Sequence, residues 1–430
     1  MISTNTLRGA LFVSAAAIAI ILPTGSAYAT NGYFSSGYGT ASKGMAGSGQ
    51  TAKGLDTQAA ATNPAAMRDV GTKWDLSLAL FSPIRSIVED TDSGAINGGV
   101  GTERESEDNI FAIPGFGYNR NLDSQSSIGL SVYANGGMNT AYSHPLFSAS
   151  APTINTGIDL AQVFMGLTYA RDINSKLSIG VTPKLAMQRF KADGLGDFAS
   201  FSNDSTKLSN NGDDYAFGYG LGFGATYDVN DQFSVGAAYH SRVYMTEFDK
   251  YAGLFAEQGD FDVPSSWNLG VSYKVNDKTS VTADYQRINY GEVAAVANSI
   301  DTLAAGNLGD NDGAGFGWRD MSTIKLGVSH IYSPTLTLRA GISHNDKNPY
   351  ADGEFGFNML APGVIRTHVS LGATYQNEDN SAWNFALTHG LEESPSGTTG
   401  TPAQAGNGLN GEATHTMYQW DLEVAYTYNF

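Results

Sequence analysis

Reactive side chains are few in this chain and poorly placed for catalysis. Its 430 residues include seven histidines and no cysteine. Disulfide frameworks, thiol redox sites and Cys-ligated metal centres are therefore excluded. His144, His240, His330, His344, His368, His389 and His415 are scattered, no two at metal-ligand spacing, so neither a metal nor a cofactor is expected. There is no HExxH, no GxSxG and no Gly-Lys-Ser/Thr phosphate loop. Gly44-x-x-Gly47-x-Gly49 is phosphate-like on the surface only, since no strand precedes it and no lysine follows at the required spacing. Ser322 and Lys325 have the spacing of a Ser–Lys pair but lie in a strand-like segment, where their odd separation turns them to opposite faces. A lipid-acting enzyme with a Ser/His pair in a barrel wall stays as an alternative, with His240 and His368 as its inward-facing candidates. The plainer assignment of both is to ordinary polar residues of a lumen.

Composition narrows the class further. Charged residues make up 15% of the chain, against roughly 25% in ordinary soluble domains. With 41% hydrophobic and 11% aromatic residues the chain carries too much apolar surface to stay disordered. A net charge of −18 argues against a nucleic-acid partner, which needs a basic face. The first segment reads as an export signal: Arg8, an apolar core over Ala10–Leu22, the breakers Pro23 and Gly25, then Ala27-Tyr28-Ala29 as a cleavage site. The mature chain is taken to start at Thr30. No later stretch is apolar for long enough to cross a membrane as a helix.

The elements that must position any site are strands. Tyr418, Trp420, Leu422, Val424, Tyr426, Tyr428 and Phe430 alternate with Gln419, Asp421, Glu423, Ala425, Thr427 and Asn429, a strand with one apolar and one polar face. About fourteen such segments are found, starting near Trp74, Asp108, Gln125, Ile158, Lys176, Asp213, Asp231, Asp262, Lys278, Asp320, Thr335, Gly363, Asn380 and Met417. Each is long enough to cross a bilayer as a tilted strand. Short turns such as Asn121–Ser124, Asp172–Ser175 and Asn276–Lys278 alternate with long loops over Asp90–Glu107, Thr140–Thr156, Leu195–Gly212, Asp249–Phe261, Gly291–Trp318, Asp346–Ala361 and Glu392–Thr416. That sorting marks an outer-membrane antiparallel β-barrel, turns in the periplasm and loops outside. Trp267/Leu269/Val271/Tyr273, Phe217/Tyr219/Leu221/Phe223 and Leu336/Leu338/Ala340/Ile342 are expected to face lipid. Gly218, Gly220, Gly222, Gly224, Thr282, Asp284 and Gln286 are expected to face the lumen. The aromatic Phe430 is expected to be read by the barrel assembly machinery.

Residues 30–73 are Gly-, Ala-, Ser- and Thr-rich yet carry Tyr33, Phe34, Tyr38, Met45, Leu55 and Met67, more anchors than a solvating linker needs. They are read as a plug in a lumen that about fourteen strands leave open. Asn31-Gly32-Tyr33-Phe34-x-x-Gly37-Tyr38-Gly39, then Lys43-Gly44-Met45-Ala46-Gly47 and Asn63-Pro64-Ala65, resembles the hatch of the FadL/TodX outer-membrane transporters. Pro114-Gly115-Phe116-Gly117-Tyr118, Val263–Gly270 and Tyr273–Tyr290 extend the similarity over the mature chain. The resemblance implies a fourteen-stranded barrel with an N-terminal hatch that admits long-chain fatty acids or other hydrophobic molecules. The barrel is expected to be a monomer in the outer-membrane bilayer, among lipopolysaccharide.

Sites follow from these expectations. An apolar route suits hydrophobic cargo, since burying an alkyl chain is worth about 0.8 kcal/mol per CH₂. Tyr251, Leu254 and Phe255 in one external loop and Val296, Ile300 and Leu303 in another are candidate ligand contacts, unless they pack the loops onto each other. Alternation points Lys184, Arg242, Lys325 and Arg339 inward, and Lys325 or Arg339 could meet a carboxylate; Asp75, Asp284, Asp421 and Glu423 also point inward and are expected to neutralise the cations. Pro114 and Gly115 within a required strand predict a kink and a gap in the wall. The resemblance implies that ligand leaves sideways through this kink, Pro114–Tyr118, when the hatch around Asn63, Pro64 and Ala65 shifts. A fatty acid, an alkane or a monoaromatic would all fit. A general porin or adhesin with a water-filled bore is the other alternative.

Overall fold

The computed structural model describes residues 31–53, 55–91, 99–147, 155–304, 307–399 and 411–430. The export segment read over residues 1–29 lies outside them. Fourteen long strands form the wall: β1 (Lys73–Thr91), β3 (Phe111–Asn121), β4 (Ser126–Tyr142), β5 (Thr156–Asp172), β6 (Leu177–Asp193), β7 (Asp214–Asp228), β8 (Phe233–His240), β10 (Ser266–Asn276), β11 (Thr279–Ile288), β12 (Met321–Ser333), β13 (Leu336–Asn345), β14 (Thr367–Gln376), β15 (Ser381–Glu393) and β17 (Glu412–Asn429). Three short strands, β2 (Glu103–Glu105), β9 (Tyr244–Met245) and β16 (Ser396–Thr398), extend it at the loop end. Every neighbouring pair is antiparallel, and β1 closes on β17 from Lys73↔Asn429 to Thr91↔Glu412. The fold is a closed fourteen-stranded antiparallel barrel with short additional strands.

Side-chain alternation matches the wall. Leu269, Val271 and Tyr273 are exposed on the outside, as are Phe217, Tyr219, Leu221 and Phe223, while Thr282, Asp284 and Gln286 are buried inside. Trp74, Tyr426 and Tyr428 cluster at the turn end, with Tyr118, Tyr428 and Phe430 in edge contact beside them, an aromatic belt of the kind found at membrane interfaces. Two long loops are shorter than expected. Part of Glu392–Thr416 belongs to β15, β16 and β17, and β2 lies within Asp90–Glu107. Beyond the bilayer a strand no longer needs an apolar outer face, so its alternation fades although its ladder continues.

Residues 31–72 lie against the lumenal face of this wall and are largely buried. Glycines of the wall make room for them. A Cβ on Gly117 would overlap Thr57, one on Gly180 the backbone of Pro64 and Ala65, one on Gly341 the backbone of Met45 and Ala46, and one on Gly224 the side chain of Asn63. Inward carboxylates hold the same segment. Asp284 accepts from Gly49 N (2.5 Å) and Gln50 N (3.1 Å), Asp75 accepts from Thr57 N (2.6 Å), and Lys43 sits between Asp421 (2.8 Å) and Glu423 (2.7 Å). The expectation that these four acids neutralise the lumenal cations holds only in part: Asp284 stands across the ladder from Lys325, while Asp75, Asp421 and Glu423 bond to the N-terminal segment. All four contact the N-terminal segment, whose backbone amides and Lys43 lie within hydrogen-bond reach.

The wall ladder is interrupted on one side of β3. Strand β3 pairs with β1 from Asn119 to Phe111 without a register shift, so Pro114 does not break that side. Its pairing with β4 stops at Phe116↔Val132, whereas β4 continues to Tyr142 along β5. The register shift lies on β4, between Ala134 and Gly136, rather than on β3 as expected. Proline lacks only one N–H, and a ladder on the other side of the strand tolerates it.

Candidate functional site

Above the interruption the backbone groups of β4 are met by the N-terminal segment instead of by β3. Phe34 and Gly136 form an antiparallel bridge, Ser35 N donates to Asn135 O (2.8 Å), and Gly137 N donates to Tyr33 O (3.0 Å). Tyr38 Oη donates to Asn135 Oδ1 (2.7 Å). On the inward face of β3 beside this seam Phe111 and Ile113 are buried, and Ile113, Pro114 and Gly115 line a narrow cavity with Gly37, Tyr38, Tyr133 and Ala134. The seam is closed at the loop end by Arg85, whose guanidinium donates to Asn139 O and Asp108 O. Of Pro114, Gly115, Phe116, Gly117 and Tyr118, the inward Gly115 and Gly117 face Gln58 and Thr57, and the others face outward.

Asn63, Pro64 and Ala65 sit farther round the wall, against β6, β7 and β8. Asn63 Oδ1 accepts from Ala65 N (3.0 Å) and caps the 3₁₀ turn Pro64–Asp69, with proline at the first turn position where its missing N–H costs nothing. Asn63 Nδ2 donates to Ala225 O (3.3 Å) of β7. This turn is pinned from within and from the wall.

The predicted loop contacts come together as one apolar core. Tyr251, Leu254, Phe255, Val296 and Ile300 are all buried in it, and Leu303 packs against it. Phe190 stacks edge-on with Tyr251 (centroids 4.8 Å apart) and contacts Phe255 (4.6 Å). These residues pack the loops onto each other. The core also takes in the plug anchors Tyr33 and Phe34, which were not among the candidate ligand contacts, together with Phe261, Tyr290 and Trp318. Tyr290 Oη donates to Asn31 O (2.5 Å), and burial holds the Tyr33 and Tyr290 phenols well above their ordinary pKa. The juxtaposed Asn-Gly-Tyr-Phe run was the available signal.

Beneath Phe34 this core gives way to a polar floor. A cavity of about 20 Å³, room for a water, is lined there by Tyr38, Tyr133, Phe164, Lys184, His240 and Lys325 among others. Lys325 Nζ donates to Ser36 O (2.7 Å). Lys184 Nζ lies 3.1 Å from His240 Nδ1, whose Nε2 is 3.0 Å from Thr62 O. A neutral ring with its proton on Nε2 satisfies both contacts. Neither lysine forms an ion pair among the described residues. Apolar rings thus lie above two buried ammonium groups, Lys325 with Asp284 beside it across the β11–β12 ladder and Lys184 with His240 as its polar partner. Arg339 is not part of this chamber. It lies near the turn end, donating to Thr374 Oγ1 (2.7 Å). Arg242 pairs with Asp262 (2.5 Å) and Asp260 (3.3 Å) in the loops. His368 contacts Gln419 (3.2 Å), and Ser322 accepts from Tyr285 Oη (2.8 Å); neither meets a catalytic partner.

Comparisons with known proteins agree with this architecture. Over 92% of the chain the structure is similar to the toluene transporter TodX of Pseudomonas putida, with a TM-score of 0.67 at 19% identity and 99% of that chain covered. A FadL homologue of Pseudomonas aeruginosa aligns with a TM-score of 0.69 at 15% identity, over 93% of this chain and all of that one. In sequence the chain is 22% identical to outer membrane protein P1 of Haemophilus influenzae over 320 residues, 66% of this chain and 67% of the relative. It is 24% identical to a 47 kDa outer membrane protein of Pasteurella multocida over 225 residues, 47% of this chain; that match spans about half of the relative's length. The model of the outer membrane protein transport family (OMPP1/FadL/TodX) matches residues 18–430. The chain is thus an outer-membrane β-barrel that belongs to the OMPP1/FadL/TodX transport family rather than to a family of enzymes.

Proposed function

We propose that this barrel takes up hydrophobic small molecules by passive diffusion, with residues 30–73 acting as a hatch. Cargo partitions into the apolar loop core around Tyr251, Phe255, Val296 and Ile300 and descends to the chamber floored by Lys184 and Lys325. Movement of the hatch, including the Asn63-Pro64-Ala65 turn, then opens a sideways path between β3 and β4 past Pro114–Tyr118 into the outer membrane. The observation that carries this reading is the β3–β4 ladder ending at Phe116↔Val132 with Tyr33–Ser35 hydrogen-bonded to β4 behind it. If the hatch moves, the edge of β4 from Tyr133 to Gly137 loses the backbone partners it has among the described residues. TodX of Pseudomonas putida and TbuX of Ralstonia pickettii are toluene transporters, which supports a small apolar cargo. Lys184, which has no ion-pair partner among the described residues, supports fatty acids beside alkanes and monoaromatics.

The test is a reversible tether. Ser35 and Asn135 face each other across the Phe34↔Gly136 bridge, where antiparallel Cα atoms lie about 4.5–5.5 Å apart, within disulfide reach. The chain has no cysteine of its own, so a S35C/N135C variant forms one defined bridge. Oxidation should abolish uptake of labelled oleate and toluene in cells, and a reductant should restore it. Uptake that proceeds unchanged with the bridge closed overturns the hatch and the sideways route.

A further inference from the structure

A second cavity opens at the turn end of the barrel, separate from the chamber beneath the loop core. It is about 450 Å³ in volume, within the range of small-molecule sites, and lies between Ala41, Leu55 and Asp56 of the N-terminal segment and the wall of β10–β15. Its charge is opposite to that of the chain. A protein with 42 acidic and 24 basic residues lines this space with Lys73, Lys274, Lys278 and Arg339. None of these four forms an ion pair among the described residues. Arg339 is part-buried, lines the cavity and donates from one guanidinium nitrogen to Thr374 Oγ1. Lys73 Nζ donates to Leu55 O (2.6 Å). Lys53 also lines the cavity, but its charge is taken by Asp228 (2.9 Å). Two acids stand against these cations, and Asp56, though it acts on Lys73 and Arg339, is held by backbone N–H groups. Asp56 accepts from Ala41 N (3.0 Å) and Gln58 N (3.2 Å), and Asp277 sits in the turn between β10 and β11.

We propose that this periplasmic vestibule binds a carboxylate amphiphile, its head on the Arg339 fork flanked by Lys73 and Lys278. Its hydrocarbon lies along Ala41, Leu55 and Ile331. A guanidinium with free parallel donors binds a carboxylate bidentately, and the confined setting strengthens that pair relative to the open surface. The apolar stretch beside it disfavours a bare inorganic anion. The site does not depend on the sideways route, and a negative tether experiment leaves it standing.

The test uses the full chain in detergent with a S280C substitution, which places the sole cysteine on the cavity lining, labelled with bimane. Sodium octanoate should shift the bimane emission saturably. In the R339Q background the midpoint should rise at least tenfold. In the K274Q/K278Q background, altered only at exposed positions by the turn, it should rise severalfold. K184Q, altered in the upper chamber, should leave the midpoint unchanged, which separates this site from the transport chamber. Octan-1-ol and inorganic phosphate should compete at least tenfold more weakly than octanoate. An absent shift, a midpoint unmoved by both R339Q and K274Q/K278Q, a midpoint moved equally by K184Q, or phosphate competing as well as octanoate each overturns the proposal.

Discussion

Replacing Lys43 by methionine tests how the N-terminal segment is held. The Lys43 ammonium lies 2.8 Å from Asp421 and 2.7 Å from Glu423, and all three side chains are at most 7% exposed. Glu423 also accepts from Thr40 Oγ1 (2.6 Å), one turn earlier in the same segment. Removing one member of a buried ion group strands its partners, a loss of about 3–5 kcal/mol. Here two carboxylates would be left facing each other. At about 1.4 kcal/mol per factor of ten, the segment's local opening should become roughly 10² to several thousand times more populated. Hydrogen exchange in detergent reads this directly at Lys43 N and Gly44 N, which donate to Gly39 O and Thr40 O. Exchange at these amides should accelerate by that factor in K43M while strand amides stay protected. A K43M/D421N/E423Q triple variant removes all three charges together and should recover most of the protection. Exchange in K43M within threefold of the parent would refute the reasoning, and wall packing alone would then hold the segment.

Two further outcomes follow from the same segment. N63A removes the cap on Ala65 N and the bond to Ala225 O, and should weaken the Pro64–Asp69 turn by about 1 kcal/mol, read as roughly fivefold faster exchange at Ala65 and Ala66. Asp56 supplies the pH dependence: burial, with Asp75 alongside, pushes its carboxyl up to about 7. The folded segment thus favours the neutral acid, and the cost of ionising it is absent below about pH 4, grows as pH rises to about 7 and is constant above. D56N escapes that cost, so its exchange protection relative to wild type should be greater at pH 8 than at pH 5, compared at matched pH. A difference that is independent of pH would contradict this.

The wall was legible because a bilayer imposes a strict rule on it. An outward face in lipid must be apolar and an inward one need not be, so alternation from Trp267 to Tyr273 or Tyr418 to Phe430 specified each strand and its orientation. The start of β17 was missed by five residues, Met417 against Glu412. Glu412–Thr416 pairs with Asp90-side residues of β1 beyond the lipid, where no rule acts on the outward face. Alternation also placed Lys325 and Arg339 on the inside correctly but said nothing about their depth. Counting from the Ser333–Pro334 turn would have separated them, since Arg339 follows that turn closely and Lys325 lies eight residues before Ser333. What no strand pattern could supply was the partner of each inward carboxylate. A wall acid can meet a wall cation or the segment inside, and only the folded path of residues 31–72 decides between them.

That decision explains two features of composition at once. Inward glycines such as Gly117, Gly180, Gly224 and Gly341 look like permissive filler in a lumen, yet each marks a place where backbone or a side chain of the inner segment comes too close for a Cβ. Inward acids such as Asp284 and Asp75 look like ordinary lumen polarity, yet each accepts backbone N–H groups of that segment. A water-filled porin would need neither close-approach glycines nor acids aimed at a guest chain. The wall is written for its occupant: close approach gives the seat its shape, and charged hydrogen bonds give it strength. Such a seat adds a few buried ionic contacts to the apolar packing of residues such as Tyr33, Phe34, Met45 and Met67. A small change at those contacts can therefore release it, which is what the movement of a hatch requires.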